Sequence, residues 1–337
     1  MPKRIKWIDV AKGVTIFLVV FGHVLIGLFD ARIYFGVTQN ILLIAVQMIY
    51  VFHMPFFFAL SGYFFKAQPD LHSYLKFIKK RLLTLGLPYL AFSIIIWAIK
   101  FIFGDQVRTD VTLKSLLNIW IMPIGPLWFI YVLFAIDIVL GFVSLKMKNI
   151  DTLFLVSLMV CLGFTIFPVD WYLVQRIAIW SPIFLLGTFV RQHPIYQYRA
   201  TLIASLSVFV TALALWALTN PIQRINYQVP GWAQFLLFTS VILGFSLFYQ
   251  LPQTVKGYNY FTNIGQISLP IYLIHVPLVS LTRILLYHLQ VNSVIIHLIL
   301  GTLIGWYGTL FIFNIIHRIP VLDFWIYPGN YLKKKEA

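Results

Sequence analysis

Cysteine is nearly absent: Cys161 stands alone in an apolar run, which excludes a disulfide framework and a cysteine-built metal knuckle. Charge is also scarce, with charged residues making up 10% of the sequence and 10 acidic side chains set against 25 Lys and Arg. No long polar stretch exists; the longest connections are "KAQPDLHSYLKFIKKR", "GDQVRTDVTLKSLLNIWIMPIG" and "TNPIQRINYQVPG". No appended soluble domain is therefore expected to hold a conventional active site, and chemistry is confined to the apolar segments and their mouths. The short alternation of a barrel strand is missing as well. The formal charge of +15 is divided among short loops and forms no aromatic-laced patch. Anionic membrane lipid is thus an expected partner and nucleic acid is not.

What fills the sequence is apolar: 61% of 337 residues, with a mean hydropathy of +0.89. A soluble globule of this size has too little interior to hide that fraction, whereas lipid is a second place to put it. Ten apolar segments stand out, at 9–29, 41–65, 82–103, 126–144, 150–167, 174–190, 200–218, 232–250, 264–286 and 292–315. Their lengths suit helices crossing about 30 Å of hydrocarbon. The expected fold class is all-α, a polytopic integral membrane helix bundle with about ten transmembrane helices. The first segment resembles a signal peptide only in its apolarity, because it lacks a small-residue cleavage site and leads into further spans. With the N-terminus inside, the inner side receives Lys3, Arg4, Lys6, Lys12, Lys66, Lys76, Lys79, Lys80, Arg81, Lys146, Lys148, Arg191, Arg199, Lys256, Arg318, Lys333, Lys334 and Lys335. These are 18 of the 25 basic residues, so the positive-inside rule puts both termini in the cytoplasm.

Against this background, polar groups inside spans are the informative ones. "WIDVAKGVTIFLVVFGHVLIGLF" carries Asp9, Lys12 and His23. A separation of eleven positions between Lys12 and His23 makes roughly three turns and about 16 Å, so both point to nearly the same face. Asp9, three residues before Lys12, can pair with it. An ionisable group deep in a span costs about 2.5–3.5 kcal/mol even on lenient insertion scales, which makes each a functional candidate. The structural alternative has Lys12 snorkelling to headgroups and His23 in a neutral interhelical hydrogen bond.

In "VFHMPFFFALSGYFF", His53 and Pro55 interrupt an aromatic run, and Ser61-Gly62 forms a small polar patch for close approach. Pro55 removes a backbone donor and frees the carbonyl near Val51, where a kink is expected. "KFIKKRLLTLGLPY" places Lys76, Lys79, Lys80 and Arg81 for lipid phosphates or for a nucleotide phosphate arriving from the cytosol. Trp128, in "PIGPLWFIYVLFAID", falls near an outer interface, where indole is commonly an anchor. Ser268, Tyr272 and His275, in "NIGQISLPIYLIHVPL", share one helical face and suggest either a cavity lining or satisfied helix contacts. Asp137, Arg176 and Arg283 are further charges whose pairing the sequence does not reveal. No Cys/His/Asp spacing resembles a metal site, so metal-independent chemistry is expected.

Four signatures in order, "IDVAKGVTIFLVVFGHV", "FHMPFFFALSGYFF", "LWFIYVLF" and "GQISLPIYLIHVPL", resemble the membrane acyltransferase-3 family, especially its branch akin to fucose 4-O-acetylase. The likeness runs over essentially the whole chain and implies a single acyltransferase domain over residues 1–337. It implies transfer of acetyl, or another short acyl group, from cytoplasmic acyl-CoA to a sugar hydroxyl of a cell-envelope polysaccharide or its lipid-linked precursor. The location it implies is the bacterial inner membrane, with acyl-CoA as a substrate and no tightly bound cofactor. Family members commonly carry a basic residue, usually Arg, with ten residues between it and a functional His. That pattern falls on Lys12 and His23, so the resemblance makes His23 the catalytic residue. Lys at the first position departs from the commoner Arg and cannot form the guanidinium fork.

On this reading His23 takes the proton of the acceptor hydroxyl as its oxygen attacks the thioester. Lys12 holds the donor near the inner mouth with help from Lys79, Lys80 and Arg81. His53 or a backbone donor faces the developing oxyanion. Asp9, Ser61, Trp128, Ser268, Tyr272 and His275 complete the candidate binding residues. Ser61 reads better as a packing or acyl-channel residue than as a nucleophile, because no neighbouring base is evident. The competing class is a transporter of a small solute or sugar precursor, built on the same interior histidines and proline-interrupted spans. Lipid-facing and protein-facing apolar surfaces look alike in sequence, so no oligomeric state follows.

Overall fold

An apolar run has few ways to cross lipid, and the α-helix is the one that satisfies its own backbone N–H and C=O groups. The computed structural model describes residues 4–102, 111–219, 228, 230–231 and 233–332, and among these no strand occurs. The longer helices, in chain order, are α1 (Lys6–Phe29), α2 (Gly36–Gly62), α3 (Leu71–Ile102), α4 (Gly125–Val143), α5 (Ile150–Ile166) and α6 (Tyr172–Gln192). They continue as α7 (Arg199–Thr219), α8 (Gln234–Gln250), α9 (Tyr258–Gln266), α10 (Ser268–His288) and α11 (Val294–Arg318). Among the described residues eight are long and apolar enough to cross a membrane, namely α1 to α4, α6, α7, α10 and α11. The expected spans 150–167 and 232–250 form α5 and α8, which are apolar helices of 17 residues each. Among the described residues the chain is thus an all-α polytopic membrane helix bundle with eight long apolar helices. Lys3, Lys333, Lys334 and Lys335, the expected span ends at 103 and 232, and much of the two longer outer loops lie outside the described residues.

The chain divides into two compact units, each assembled from separate stretches of sequence. The first holds Met1–Lys66, Asn149–Val169 and Ala178–Ser268; the second holds Ala67–Lys148, Asp170–Ile177 and Leu269–Ala337.

In the first unit, close approach rests on glycine. A Cβ at Gly62 would overlap the Phe184 carbonyl, and one at Gly187 would overlap the Ala59 carbonyl, so α2 and α6 touch backbone to backbone. Thr188 seals that contact by donating its hydroxyl to the Gly62 carbonyl at 2.6 Å. Gly13 meets the Phe261 backbone and Gly265 meets the Asp9 backbone, which joins α1 to α9 in the same manner. Pro55 lies within α2, and the carbonyl it frees finds a partner: Ser240 of α8 donates to the Val51 oxygen at 2.9 Å. A serine from a neighbouring helix thereby replaces the missing N–H.

In the second unit, the basic segment expected as an inner loop is the first part of α3. Asp70 caps it, accepting from the Ser73 backbone N–H at 2.8 Å, and the helix then runs through a π-helical turn at Leu82–Gly86. The cause follows in sequence: Pro88 has no N–H and its ring crowds the carbonyl four residues back, so the turn ahead of it widens. The expected segment 264–286 departs from the structure in the other direction, because α9 ends at Gln266 and α10 starts afresh at Ser268. Pro270 accounts for the break, since proline is tolerated in a first turn and not in an uninterrupted helix.

Two outcomes test these contacts. Gly187→Ala should lower thermal stability in detergent by about 1–3 kcal/mol through overpacking, more than Ser240→Ala, which strands one carbonyl at about 1 kcal/mol. Equal melting temperatures for the two variants would contradict the backbone contact. The Ser73 N–H holds the Asp70 carboxyl below its ordinary value of 3.8. A depressed pKa adds stability above the ordinary value and loses it as pH falls through the depressed one. Asp70→Asn should therefore flatten the acid limb of a melting-temperature profile below pH 3.8.

Candidate functional site

The unbroken course of α1 puts Lys12 and His23 on one helix at the expected spacing. The Lys12 ammonium sits 5.1 Å from the Phe64 ring centroid, a cation–π contact. Asp9, one turn earlier, lies in the field of both Lys12 and Arg4. His23 is half-buried, and its Nδ1 is 2.9 Å from the Val19 carbonyl oxygen. A carbonyl only accepts, so Nδ1 carries a hydrogen, and in the neutral ring the basic lone pair resides on Nε2. The backbone of α1 thus selects which nitrogen can take a proton.

His53 of α2 repeats the device, with Nδ1 2.7 Å from the Ile49 carbonyl. Its side chain is fully buried, and Nε2 makes no hydrogen bond among the described residues. Tyr50 connects the two histidines: its ring centroid is 4.6 Å from that of His53, edge-on, and 6.3 Å from that of His23. Gly22 makes the approach possible, because a Cβ there would come within 3.1 Å of Ile49 Cγ2 and 3.3 Å of Tyr50 Cε2. The geometry bears on the expected oxyanion role of His53. With Nδ1 bonded to a carbonyl, a neutral His53 ring would offer an acceptor at Nε2, and only the protonated ring would offer an oxyanion a donor there. Ser61 donates its hydroxyl to the Phe57 carbonyl at 2.9 Å, a helix-internal bond beside the close α2–α6 contact.

The remaining candidates, apart from Ser268 at the end of the first unit, belong to the second. Lys79 and Lys80 are exposed on α3, while Arg81 turns inward and places Nε 3.0 Å from Asp137 Oδ2. Asp137 is fully buried on α4, and the contact is an ion pair without hydrogen-bond alignment. Arg81 also stacks on Phe77, its Cζ 5.1 Å from the ring centroid. Tyr272 donates to the Pro126 carbonyl and packs edge-on against Phe129 at 5.5 Å. Its hydroxyl thereby pins the turn that begins α4. Trp128, half-buried, stands in the first turn of α4. His275 is fully buried, with Nδ1 2.9 Å from the Ile271 carbonyl and its ring centroid 6.2 Å from that of Tyr272. Ser268 opens α10 and shares its helix with these two.

The structure therefore brings Asp9 to Lys12, His23 to His53 through Tyr50, Arg81 to Asp137, and Tyr272 to His275. Sequence reasoning missed Tyr50 and Gly22. A signal was present for Tyr50, which precedes His53 by three residues and so shares its face; for Gly22, beside His23 in sequence but turned from its face, there was none. Among the described residues no group of three or more His, Cys, Asp or Glu side chains is placed to hold a metal ion.

Comparison with known proteins bears on this arrangement. Residues 5–315 match the model of the family described as Acyltransferase domain (Acyl_transf_3). The chain is also 36% identical over 128 residues to nodulation protein NolL of Mesorhizobium japonicum. That stretch is 37% of this chain and 32% of the relative, so the chain spans about a third of the length of the curated relative it matches. No solved structure matches the chain.

The buried ion pair gives the test for this site's framework. Arg81→Ala leaves the Asp137 carboxylate uncompensated and should destabilise the protein by about 3 kcal/mol. Adding Asp137→Asn should recover much of that loss. An Arg81→Ala protein melting at the wild-type temperature would show that the pair carries no structural load.

Proposed function

The chain belongs to the acyltransferase domain family, and from that membership we propose that it moves an acetyl group from cytoplasmic acetyl-CoA to a sugar hydroxyl in the cell envelope. The acceptor is a polysaccharide or its lipid-linked precursor, as in the branch akin to fucose 4-O-acetylase. The family match runs through both units, which supports reading the chain as one acyltransferase domain. The observation that carries the assignment of chemistry is the Val19 carbonyl on His23 Nδ1, which leaves Nε2 as the base on the half-buried face of α1.

In the proposed reaction, Nε2 takes the hydroxyl proton while the sugar oxygen adds to the thioester carbonyl carbon. The tetrahedral intermediate collapses, the C–S bond breaks, and the departing sulfur takes the proton back from the imidazolium. An ester and a free thiol result. Positioned general-base help of this kind is worth about 10²–10⁴ in rate. Direct transfer is favoured over an acyl-enzyme. The Ser61 hydroxyl is committed to Phe57 and the buried Cys161 thiol donates to Gln234 Oε1 at 3.0 Å, so neither nucleophile is paired with a base.

Lys12 holds the donor as a point charge three turns before His23. Arg81 serves instead to neutralise Asp137. His53 offers an acceptor beside His23, while Asp9 steadies Lys12. The excess of basic residues on one side supports cytoplasmic termini, and the family resemblance supports a location in the bacterial inner membrane.

The test uses purified protein in lipid nanodiscs, labelled acetyl-CoA and a panel of envelope saccharides. Label should pass to a saccharide, and His23→Ala should cut the rate by about 10²–10⁴. Lys12→Ala should weaken acetyl-CoA binding. Saccharide uptake into vesicles without covalent label would overturn the enzyme reading in favour of transport.

A further inference from the structure

At the Lys6 end of α1 lies a cavity of about 450 Å³, and of its lining the chemistry above uses Asp9 alone. One wall is α1 and the segment before it, with Arg4, Lys6 and Asp9; the other is α9. Asn259, Thr262, Asn263 and Gln266 recur there at intervals of three, one and three, a single polar face of that helix. The opposite side of α9 is apolar, with Tyr258 and Ile264 buried and Phe261 edge-on to Phe17 at 6.4 Å. Because Gly13 and Gly265 let the two helix backbones touch, the longer polar side chains are left to splay around an open space.

The lining has spare binding capacity. Thr262 spends its hydroxyl on the Tyr258 carbonyl at 2.9 Å. The three carboxamides, from Asn259, Asn263 and Gln266, make no hydrogen bond among the described residues. Asp9 is offset by Lys12 and Arg4, whereas Lys6 has no ion pair among the described residues. An anion meets a net positive wall here, and groups that both donate and accept meet a carboxylate and three amides. The volume falls within the range of small-ligand sites.

We infer that this cavity binds the nucleotide end of the acyl donor, with Lys6 and Arg4 on its phosphate and Asp9 and the carboxamides on its ribose hydroxyls and base. This rests on the donor being acyl-CoA. Order along α1 supports it: the cavity residues come first, Lys12 follows Asp9 by one turn, and His23 stands about 16 Å beyond Lys12. A phosphate flanked by hydroxyls also describes a phosphatidylglycerol headgroup. The carboxamides favour the nucleotide, because a heterocyclic base offers paired donors and acceptors that glycerol lacks.

The test is titration of the full chain, in nanodiscs of neutral phosphatidylcholine, with adenosine 3′,5′-bisphosphate. Lys6→Gln and Asn263→Ala should each weaken binding at least fivefold, and Lys6→Arg should restore most of the first loss. Unchanged affinity in both variants, or no binding by the wild type, overturns the inference. So does a nucleotide affinity indifferent to these variants alongside phosphatidylglycerol binding that they abolish, which would assign the cavity to lipid. S-acetylpantetheine, a thioester without the nucleotide, separates this inference from the reaction itself. If it is a donor while the variants leave bisphosphate binding intact, the cavity assignment alone fails. If bisphosphate binds as expected and no thioester is a donor, the reaction assignment alone fails. With both sound, each variant should lower kcat/KM for acetyl-CoA relative to that for S-acetylpantetheine at least fivefold.

Discussion

Hydrocarbon offers no hydrogen bonds, and the polar groups of this protein are arranged around that deficit. His23, His53 and His275 solve it in the same way, each donating from Nδ1 to the carbonyl four residues earlier on its own helix. The bond removes one polar hydrogen from lipid, and it also decides the chemistry of the ring. With Nδ1 committed, only Nε2 can exchange a proton with another molecule. In the proposed reaction, one bond between His23 and Val19 would meet both a structural need and a catalytic selection.

The same deficit explains the other conspicuous contacts. Pro55 would cost α2 an unsatisfied carbonyl, and Ser240 supplies the replacement. Asp137 would be prohibitive alone on α4, and Arg81 supplies the charge. Where helices cross most closely, glycine lets their backbones touch, as at Gly62, Gly187, Gly13 and Gly265. These crossings have no hydrophobic driving force in lipid, so van der Waals packing must hold them, and packing improves as backbones approach.

Which parts were legible in the sequence follows from the range of each interaction. Hydropathy is local, so every one of the ten apolar segments corresponds to helix, eight of them long enough to cross a membrane. Helical periodicity is local as well, which is why Lys12 with His23 and Tyr272 with His275 could be read from spacing. The freed carbonyl at Val51 could also be anticipated, though its partner 189 residues away could not. Arg81 was legible as a basic residue beside lysines and illegible as the partner of Asp137, because like residues in a row separate only when one of them turns inward. The continuity of α3 and the break before α10 were missed for a related reason: proline signals a disturbance, and its surroundings decide between a widened turn and a fresh start.

The proposed site gains its selectivity from α1 acting as a ruler. A helix rises about 1.5 Å per residue and resists stretching, so the distance between Lys12 and His23 is set by residue count alone. A donor held by its charged end at Lys12 presents its thioester to Nε2 only when its arm matches that interval. The acyl group itself lies beyond the measured length, where a short chain changes little in the fit. Such a site reads the carrier closely and the acyl group loosely. On that proposal Lys12 would suit the role better than a guanidinium: its compact charge over Phe64 would anchor a phosphate without fixing its orientation, leaving the helix to set the register.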